Sequence, residues 1–175
     1  GFIGSNIADR LARDNEVLVV DDRSLGTPEN LDKAVEFHER SVLEEGLPTD
    51  VDVVFHLAAL SSYSMHESAP QRGARVNVEG FVNVVEQARQ DGCETVVYAS
   101  TSSIYGDRTS PTPEKASVQA NSAYEASKLA RERYAEYFRN HHGLSLAGLR
   151  PFSGYQGYGG GEGPTGERRQ AVGQV

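Results

Sequence analysis

A tyrosine and a lysine four residues apart, Tyr124 and Lys128, are the side chains of this sequence best suited to moving a proton. Residues at this spacing share one face of a helix. A free tyrosine is a poor base at neutral pH because its phenol ionises near pH 10, whereas a neighbouring ammonium favours the phenolate. The pair therefore predicts a tyrosine base supported by Lys128, although any helix can carry this spacing by chance.

A run of hydroxyl side chains at residues 100–103 follows a predicted strand. In open α/β sheets, ligands bind outside the carboxyl ends of the strands. A Ser or Thr hydroxyl at that place would bridge a substrate alcohol and the tyrosine oxygen. The alternative interpretation is a polar turn that simply ends the strand.

Two glycines, Gly1 and Gly4, stand directly before a predicted helix. A Gly-rich turn lets backbone N–H groups approach a pyrophosphate, and the helix dipole favours its charge, although a plain helix start has the same pattern. The next strand ends in Asp21, whose carboxylate would accept hydrogen bonds from both ribose hydroxyls of an adenosine. A carboxylate also repels a 2′-phosphate, so the pattern favours NAD over NADP unless Asp21 is only a solvated strand end.

Strands and helices alternate along the chain and would position these residues. The apolar runs at 17–20 and 53–57 are typical of strands buried on both faces, and Ser122 with Glu125 has the capping-box spacing of a helix start. This alternation predicts an α/β fold with a doubly wound, Rossmann-like parallel sheet covered by helices on both sides. The predicted strands are 17–20, 35–38, 53–57, 95–99 and 144–149, and the predicted helices are 5–13, 71–89 and 122–140.

The composition excludes several classes of protein. Of the 175 residues, 38% are hydrophobic and 24% are charged, as in soluble globular proteins. The net charge of −8 argues against binding to nucleic acid or acidic membranes, and no apolar run approaches the roughly 18 residues of a membrane helix. The single cysteine, Cys93, excludes an internal disulfide and a paired-cysteine zinc site, and we predict no metal centre. No targeting peptide is visible, so we expect a cytoplasmic protein.

Several short segments together resemble the extended short-chain dehydrogenase/reductase family, in particular its NAD-dependent nucleotide-sugar epimerases and dehydratases. They occur in the order and at the spacing of the family, from residue 1 to about residue 158. In chain order, they are residues 1–4, 20–21, 56–59, 76–80, 100–106, 124–128 and 149–152.

The resemblance implies NAD as the cofactor and a nucleotide sugar as the substrate. It makes Tyr124 the general base with Lys128 as its partner, and Thr101 the residue that hydrogen-bonds the reacting sugar hydroxyl. It places Ser102 and Ser153 against the substrate. The cofactor-binding residues that it implies are Gly1, Phe2, Ile3, Gly4, Asp21, Leu57, Ala58, Ala59, Asn77, Tyr124 and Lys128.

One departure from the family pattern narrows the expected reaction. Dehydratases of the family carry an Asp-Glu pair directly after the threonine, where this sequence has Ser102 and Ser103. Without a carboxyl for the elimination, we expect a UDP-sugar 4-epimerase, such as one for UDP-glucose and UDP-galactose. The alternatives are a related decarboxylase or reductase of another nucleotide sugar, and a non-catalytic NAD-binding protein.

The resemblance also bears on how the chain is organised. It implies that the first strand and the opening glycine of the phosphate-binding turn are absent, with most of a C-terminal sugar-nucleotide domain. We therefore expect a truncated NAD-binding domain over residues 1–150 and the start of a substrate-binding region over 151–175. The resemblance further implies a homodimer, when full length, through helices such as 71–89 and 122–140.

Overall fold

The computed structural model describes residues 1–107 and 111–152, and every structural statement below concerns these two ranges. The predicted substrate contact Ser153 lies outside them. The strands are β1 (Leu18–Asp21), β2 (Glu36–Glu39), β3 (Val53–His56), β4 (Thr95–Ala99) and β5 (Ser145–Leu149). The α-helices are α1 (Phe2–Leu11), α2 (Tyr63–Ser68), α3 (Pro70–Ala74), α4 (Gly80–Gln90) and α5 (Ala123–His142).

All strand pairings within the described ranges are parallel. Strand β1 pairs with β2, whereas β3, β4 and β5 pair in that order, with Val96 between Val54 and Leu146. Parallel neighbours need a crossover between them, and α4 and α5 connect β3 to β4 and β4 to β5. The predicted α/β arrangement of parallel strands with flanking helices is thus confirmed.

Strands β1 and β3 are less buried than the sequence predicts. No residue of β1 is fully buried, and the Val53 and Phe55 residues of β3 are 42% and 41% exposed. The reason is that the two strands do not pair with each other: in the described ranges they belong to separate sheets. An apolar strand without a neighbour on one side keeps that side open, here toward a cavity lined by both strands.

The helix predicted at 71–89 forms, with an irregularity in its middle. It runs from α3 through a π-helical segment, Arg75–Glu79, into α4. Such segments are rare and frequently occur at functional sites. The π-helical segment carries Asn77, whose side chain is fully buried.

Helix α5 starts where the sequence predicts. The Ser122 side chain accepts a hydrogen bond from the Glu125 amide at 3.1 Å, whereas the Glu125 carboxylate accepts one from the Asn121 amide. The core between α4, α5 and strands β4 and β5 is apolar and contains Phe81, Val85, Ala88, Val96, Tyr98, Ala135, Phe138 and Leu146. In the part of the chain that the structure describes, no helix combines the length and the apolar character that crossing a bilayer requires.

Candidate active site

A cavity of about 1190 Å³ runs between β1 and β3, from the residues that precede these strands to those at and beyond their carboxyl ends. We call it the strand-end cavity. It brings together most of the residues that the sequence singles out: Gly1, Phe2, Ile3, Gly4, Asp21, Leu57, Ala58, Ala59, Tyr124 and Lys128. Asn77, Thr101 and Ser102 are not among its lining residues.

The Gly-rich turn and the strand-end carboxylate are close neighbours in this cavity. Helix α1 begins directly after Gly1, and the Gly1 nitrogen lies 3.8 Å from Asp21 Oδ2. Gly26 crosses the same spot: a Cβ there would lie 2.9 Å from the Gly1 nitrogen and 3.2 Å from Asp21 Oδ2, so only a glycine fits without displacing them. The arrangement places a helix N-terminus, which favours anions, beside a hydrogen-bond-accepting carboxylate.

Tyr124 and Lys128 line the opposite part of the strand-end cavity. The Tyr124 ring packs between the rings of Tyr63 and His66, each with its centroid 5.5 Å away. Lys128 Nζ lies 5.8 Å from the Tyr124 ring centroid and donates a hydrogen bond to the Ala99 carbonyl at 3.1 Å. Burial, together with the nearby Arg131 guanidinium, holds the pKa of Lys128 well below its ordinary value.

Asn77 and Thr101 lie behind the cavity surface and bond to the protein itself. The Asn77 side chain accepts a hydrogen bond from the Leu60 amide at 2.8 Å and donates to Ser127 Oγ at 2.9 Å. Thr101 Oγ1 accepts a hydrogen bond from the Ser103 amide and caps a short 3₁₀ helix, Ser102–Tyr105. The cofactor contact of Asn77 and the substrate contacts of Thr101 and Ser102 therefore stay predictions.

Helix α2, which the sequence interpretation did not include, supplies the walls around Tyr124. The Tyr63 hydroxyl donates a hydrogen bond of 2.6 Å to Glu125, and this bond raises the pKa of Tyr63. His66 is buried, and its Nε2 lies 3.0 Å from the Leu60 carbonyl. Gly73 makes room for it, because a Cβ at that position would lie 2.2 Å from His66 Nδ1.

An ion pair missed by the sequence interpretation anchors the loop that carries Thr101. Arg150 binds Glu132 through two nitrogens, at 2.6 and 2.8 Å, and its Nη1 donates to the Tyr105 hydroxyl at 2.7 Å. Ser100 Oγ also donates to Glu132, at 2.6 Å. Burial opposes the ionised form, but the bonds from Arg150 and Ser100 hold the pKa of Glu132 below its ordinary value. The network fixes the ends of β4 and β5 against α5.

The parallel α/β fold, the Gly-rich turn with its strand-end acid and the tyrosine–lysine pair, Tyr124 and Lys128, are typical of dinucleotide-binding domains of the doubly wound class. The model of the NAD dependent epimerase/dehydratase family matches residues 1–171. The chain belongs to this family, which confirms the resemblance drawn from its motifs. The family is NAD-dependent, and NAD is the cofactor that the sequence predicts.

Individual relatives include more than one activity. The chain is 37% identical over 168 residues to the UDP-glucose 4-epimerase of Mycolicibacterium smegmatis, covering 89% of this chain and 54% of that protein. It is 32% identical over 168 residues to UDP-glucuronic acid decarboxylase 3 of Arabidopsis thaliana, covering 89% and 48%. The Thermus thermophilus UDP-glucose 4-epimerase complexed with NAD superposes with a TM-score of 0.81 at 34% identity, covering 86% of this chain and 51% of that one. The chain thus spans about half the length of the relatives it matches.

Proposed function

We propose that the whole protein is an NAD-dependent nucleotide-sugar 4-epimerase that interconverts UDP-glucose and UDP-galactose. The observation that carries the proposal is that Tyr124 and Lys128 line the same cavity as the Gly-rich turn and Asp21. The proposed proton acceptor, Tyr124, therefore lines the same cavity as the features expected of a dinucleotide site. The similarity to the Mycolicibacterium smegmatis epimerase supports the same reaction.

The residues of the strand-end cavity fit NAD. The backbone N–H groups after Gly1 would face the pyrophosphate at the start of α1, and Asp21 would accept hydrogen bonds from the adenosine ribose. The close passage of Gly26 beside Gly1 and Asp21 leaves no room for a side chain in that corner. Leu57, Ala58 and Ala59 would line the channel between the adenosine end and the nicotinamide end of the cofactor. Lys128 would hold the ribose of the nicotinamide end. When bound, NAD supplies the acceptor and then the donor of the hydride at the sugar carbon.

The proton transfers belong to this chain's own residues. Tyr124 Oη removes the proton of the sugar 4-hydroxyl as that carbon becomes a ketone, and it returns the proton when the carbon is reduced from the other face. In its protonated form, Lys128 favours the phenolate that accepts this proton. Thr101 Oγ1 hydrogen-bonds the same hydroxyl and orients it, and Ser102 and Ser153 contact the sugar nucleotide. No net oxidation of the sugar results.

The residues after Thr101 favour epimerisation over dehydration. Loss of a sugar hydroxyl needs a group that protonates it, and the first positions of the 3₁₀ helix, Ser102 and Ser103, offer hydroxyls without a carboxyl. A decarboxylase remains the alternative, because relatives with that activity match the chain at 32% identity.

The test is an assay of the whole protein with NAD and either UDP-glucose or UDP-glucuronic acid. We expect UDP-galactose to form from UDP-glucose until equilibrium is reached, with no net accumulation of reduced cofactor, as resolved by NMR or chromatography. Release of CO₂ from UDP-glucuronic acid, with no reaction of UDP-glucose, would identify a decarboxylase. Binding of NAD without turnover of either sugar would contradict the proposed reaction.

We also propose the domain organisation and the homodimer that the resemblance implies. Residues 1–150 would form the cofactor-binding part, and a substrate-binding region would begin at residue 151. Tyr134 and Tyr137 on α5 are 43% and 47% exposed, and they offer an apolar surface for a second copy. Light scattering on the whole protein should give twice the mass of one chain, and a monomer mass at micromolar concentration would contradict the dimer.

A further inference from the structure

Arg131 is the largest completely buried side chain in the described part of the chain, and the proton transfers above do not use it. It lies on α5, three residues after Lys128. Its nitrogens donate to the carbonyls of three segments: Nε to Asn77, Nη2 to Ala58 at 2.9 Å and Nη1 to Ala99 at 3.4 Å. Because Ala58 lies two residues after β3 and Ala99 ends β4, the side chain ties the wall of the strand-end cavity to α5.

The two buried cations of α5 meet at one acceptor. The Ala99 carbonyl accepts a hydrogen bond from Lys128 Nζ at 3.1 Å and the longer one from Arg131 Nη1. Arg131 also lies over the Phe81 ring, with its guanidinium carbon 5.8 Å from the centroid. Its positive charge is therefore held beside Lys128, at the carbonyl that both side chains share, and Arg131 is completely buried there.

No carboxylate of the described residues neutralises this charge. None of the ion pairs formed within the described ranges includes Arg131. The Glu125 carboxylate is bound by Tyr63, and that of Glu132 is bound by Arg150. Burying a cation without a carboxylate partner costs stability, and here the hydrogen bonds to backbone carbonyls offset that cost.

Other titratable groups around Tyr124 and Arg131 come from each element packed against them. They are Tyr63 and His66 of α2, His56 of β3, Tyr98 of β4, and Glu125 and Lys128 of α5. Burial and the two α5 cations lower the pKa of His56, so its imidazole is neutral at pH 7. Burial lowers the pKa of Arg131 only to about 9, which leaves the guanidinium charged at that pH. Arg131 is thus the permanent cation of this cluster.

We propose that Arg131 is a positioning residue of the tyrosine–lysine pair: fixed by three backbone carbonyls, it keeps a permanent positive charge beside Lys128, on the next turn of α5, and thereby favours the phenolate of Tyr124. The inference rests on the proposed function, because it assigns a supporting charge to the same base. A fixed charge in a water-excluded site stabilises a developing opposite charge more strongly than one in solvent. Lys128 can then give up and regain its proton while the charge of Arg131 continues to stabilise the Tyr124 phenolate.

The test is the pH profile of kcat/KM in the whole protein, measured on whichever nucleotide sugar it oxidises. Arg131→Gln removes the charge but keeps an amide donor. The acid limb is the low-pH side of the profile, where kcat/KM falls because the base becomes protonated. We expect Arg131→Gln to move this limb about one unit to higher pH. At any pH below the limb kcat/KM is then about tenfold lower, whereas its plateau at higher pH is unchanged. Arg131→Met removes the charge and the donors together, and its acid limb should move as far as that of Arg131→Gln.

The matched control is Arg133→Gln, which removes an exposed guanidinium paired with Glu136 on the same helix and should leave the profile unchanged. An unmoved acid limb in Arg131→Gln overturns the proposal. If Arg131→Gln does not fold, Arg131→Met decides alone: a limb displaced by about a unit supports the charge role, and an unmoved limb contradicts it. Failure of the proposed function is a different result, since it shows as absent 4-epimerisation in the wild type.

Discussion

Replacing Tyr124 with Phe is expected to lower kcat for the sugar-nucleotide reaction about a thousandfold. The variant loses only the phenol oxygen, which is the proposed proton acceptor. Its ring should stay between Tyr63 and His66, so the cavity wall is preserved. We therefore expect KM and the affinity for NAD to change by no more than about twofold, because the oxygen acts in the transition state more than in binding. Steady-state kinetics and a cofactor titration measure both quantities.

Tyr134→Phe is the matched control for this experiment. Tyr134 lies on the same helix, is 43% exposed and does not line the strand-end cavity. Its loss of a phenol oxygen should leave kcat at the wild-type value. If Tyr124→Phe also epimerises at a near wild-type rate, another group is the base and the assignment of Tyr124 is wrong.

The parts of the fold with local signals are the ones that the sequence predicts well. Strand β4 occupies the predicted residues, Thr95–Ala99, because a short continuous apolar run is typical of a strand buried on both faces of a parallel sheet. The start of α5 is equally well predicted, since Ser122 caps the helix through a bond that spans three residues. Lys128 and Tyr124 then share a face through helix geometry alone.

The structural features that depend on contacts between residues far apart in the sequence were not predicted. Helix α2 is six residues long and too short for a periodic pattern, although its cap, Ser62, and the following Pro70 mark its ends. The Glu132–Arg150 pair joins residues that are 18 apart in sequence, and no spacing rule connects them. The burial of Arg131 is harder still to predict, because arginine is almost always found at the surface. Its burial is explained by the backbone carbonyls of three separate segments, which accept its hydrogen bonds.

Replacing Lys128 with Met is expected to lower the rate of the reaction by about a hundredfold or more and, without NAD, to stabilise the protein. Burial and Arg131 depress the pKa of Lys128 in the folded state, so at neutral pH the unfolded chain binds a proton more readily there. Met removes this penalty while filling a similar volume. The Ala99 carbonyl keeps Arg131 as a donor. We expect the melting temperature to rise by roughly 3 °C, which corresponds to about 1 kcal/mol.

The pH dependence separates this explanation from a simple gain in packing. For a lysine with a depressed folded-state pKa, the penalty is present below the unfolded pKa of about 10.4 and disappears above it. The advantage of Lys128→Met should therefore vanish as the pH approaches 10.5, grow as the pH falls towards neutral, and become constant once the pH lies below the folded-state pKa. Thermal melts across this window measure it, and an advantage that is independent of pH would contradict the assigned cause.

Adding NAD should make the wild type more stable than Lys128→Met, which reverses their order without the cofactor. A cofactor stabilises the folded state by an amount that rises with the logarithm of its concentration divided by its Kd, and Lys128 is proposed to hold one of the ribose groups of NAD. The wild type should then gain more than Lys128→Met and overtake it at saturating NAD. Lys33→Met, which removes an exposed lysine outside the cavity, should match the wild type with and without NAD. If saturating NAD raises the melting temperatures of the wild type and Lys128→Met equally, Lys128 does not contact the cofactor, and its burial has to be explained by the fold alone.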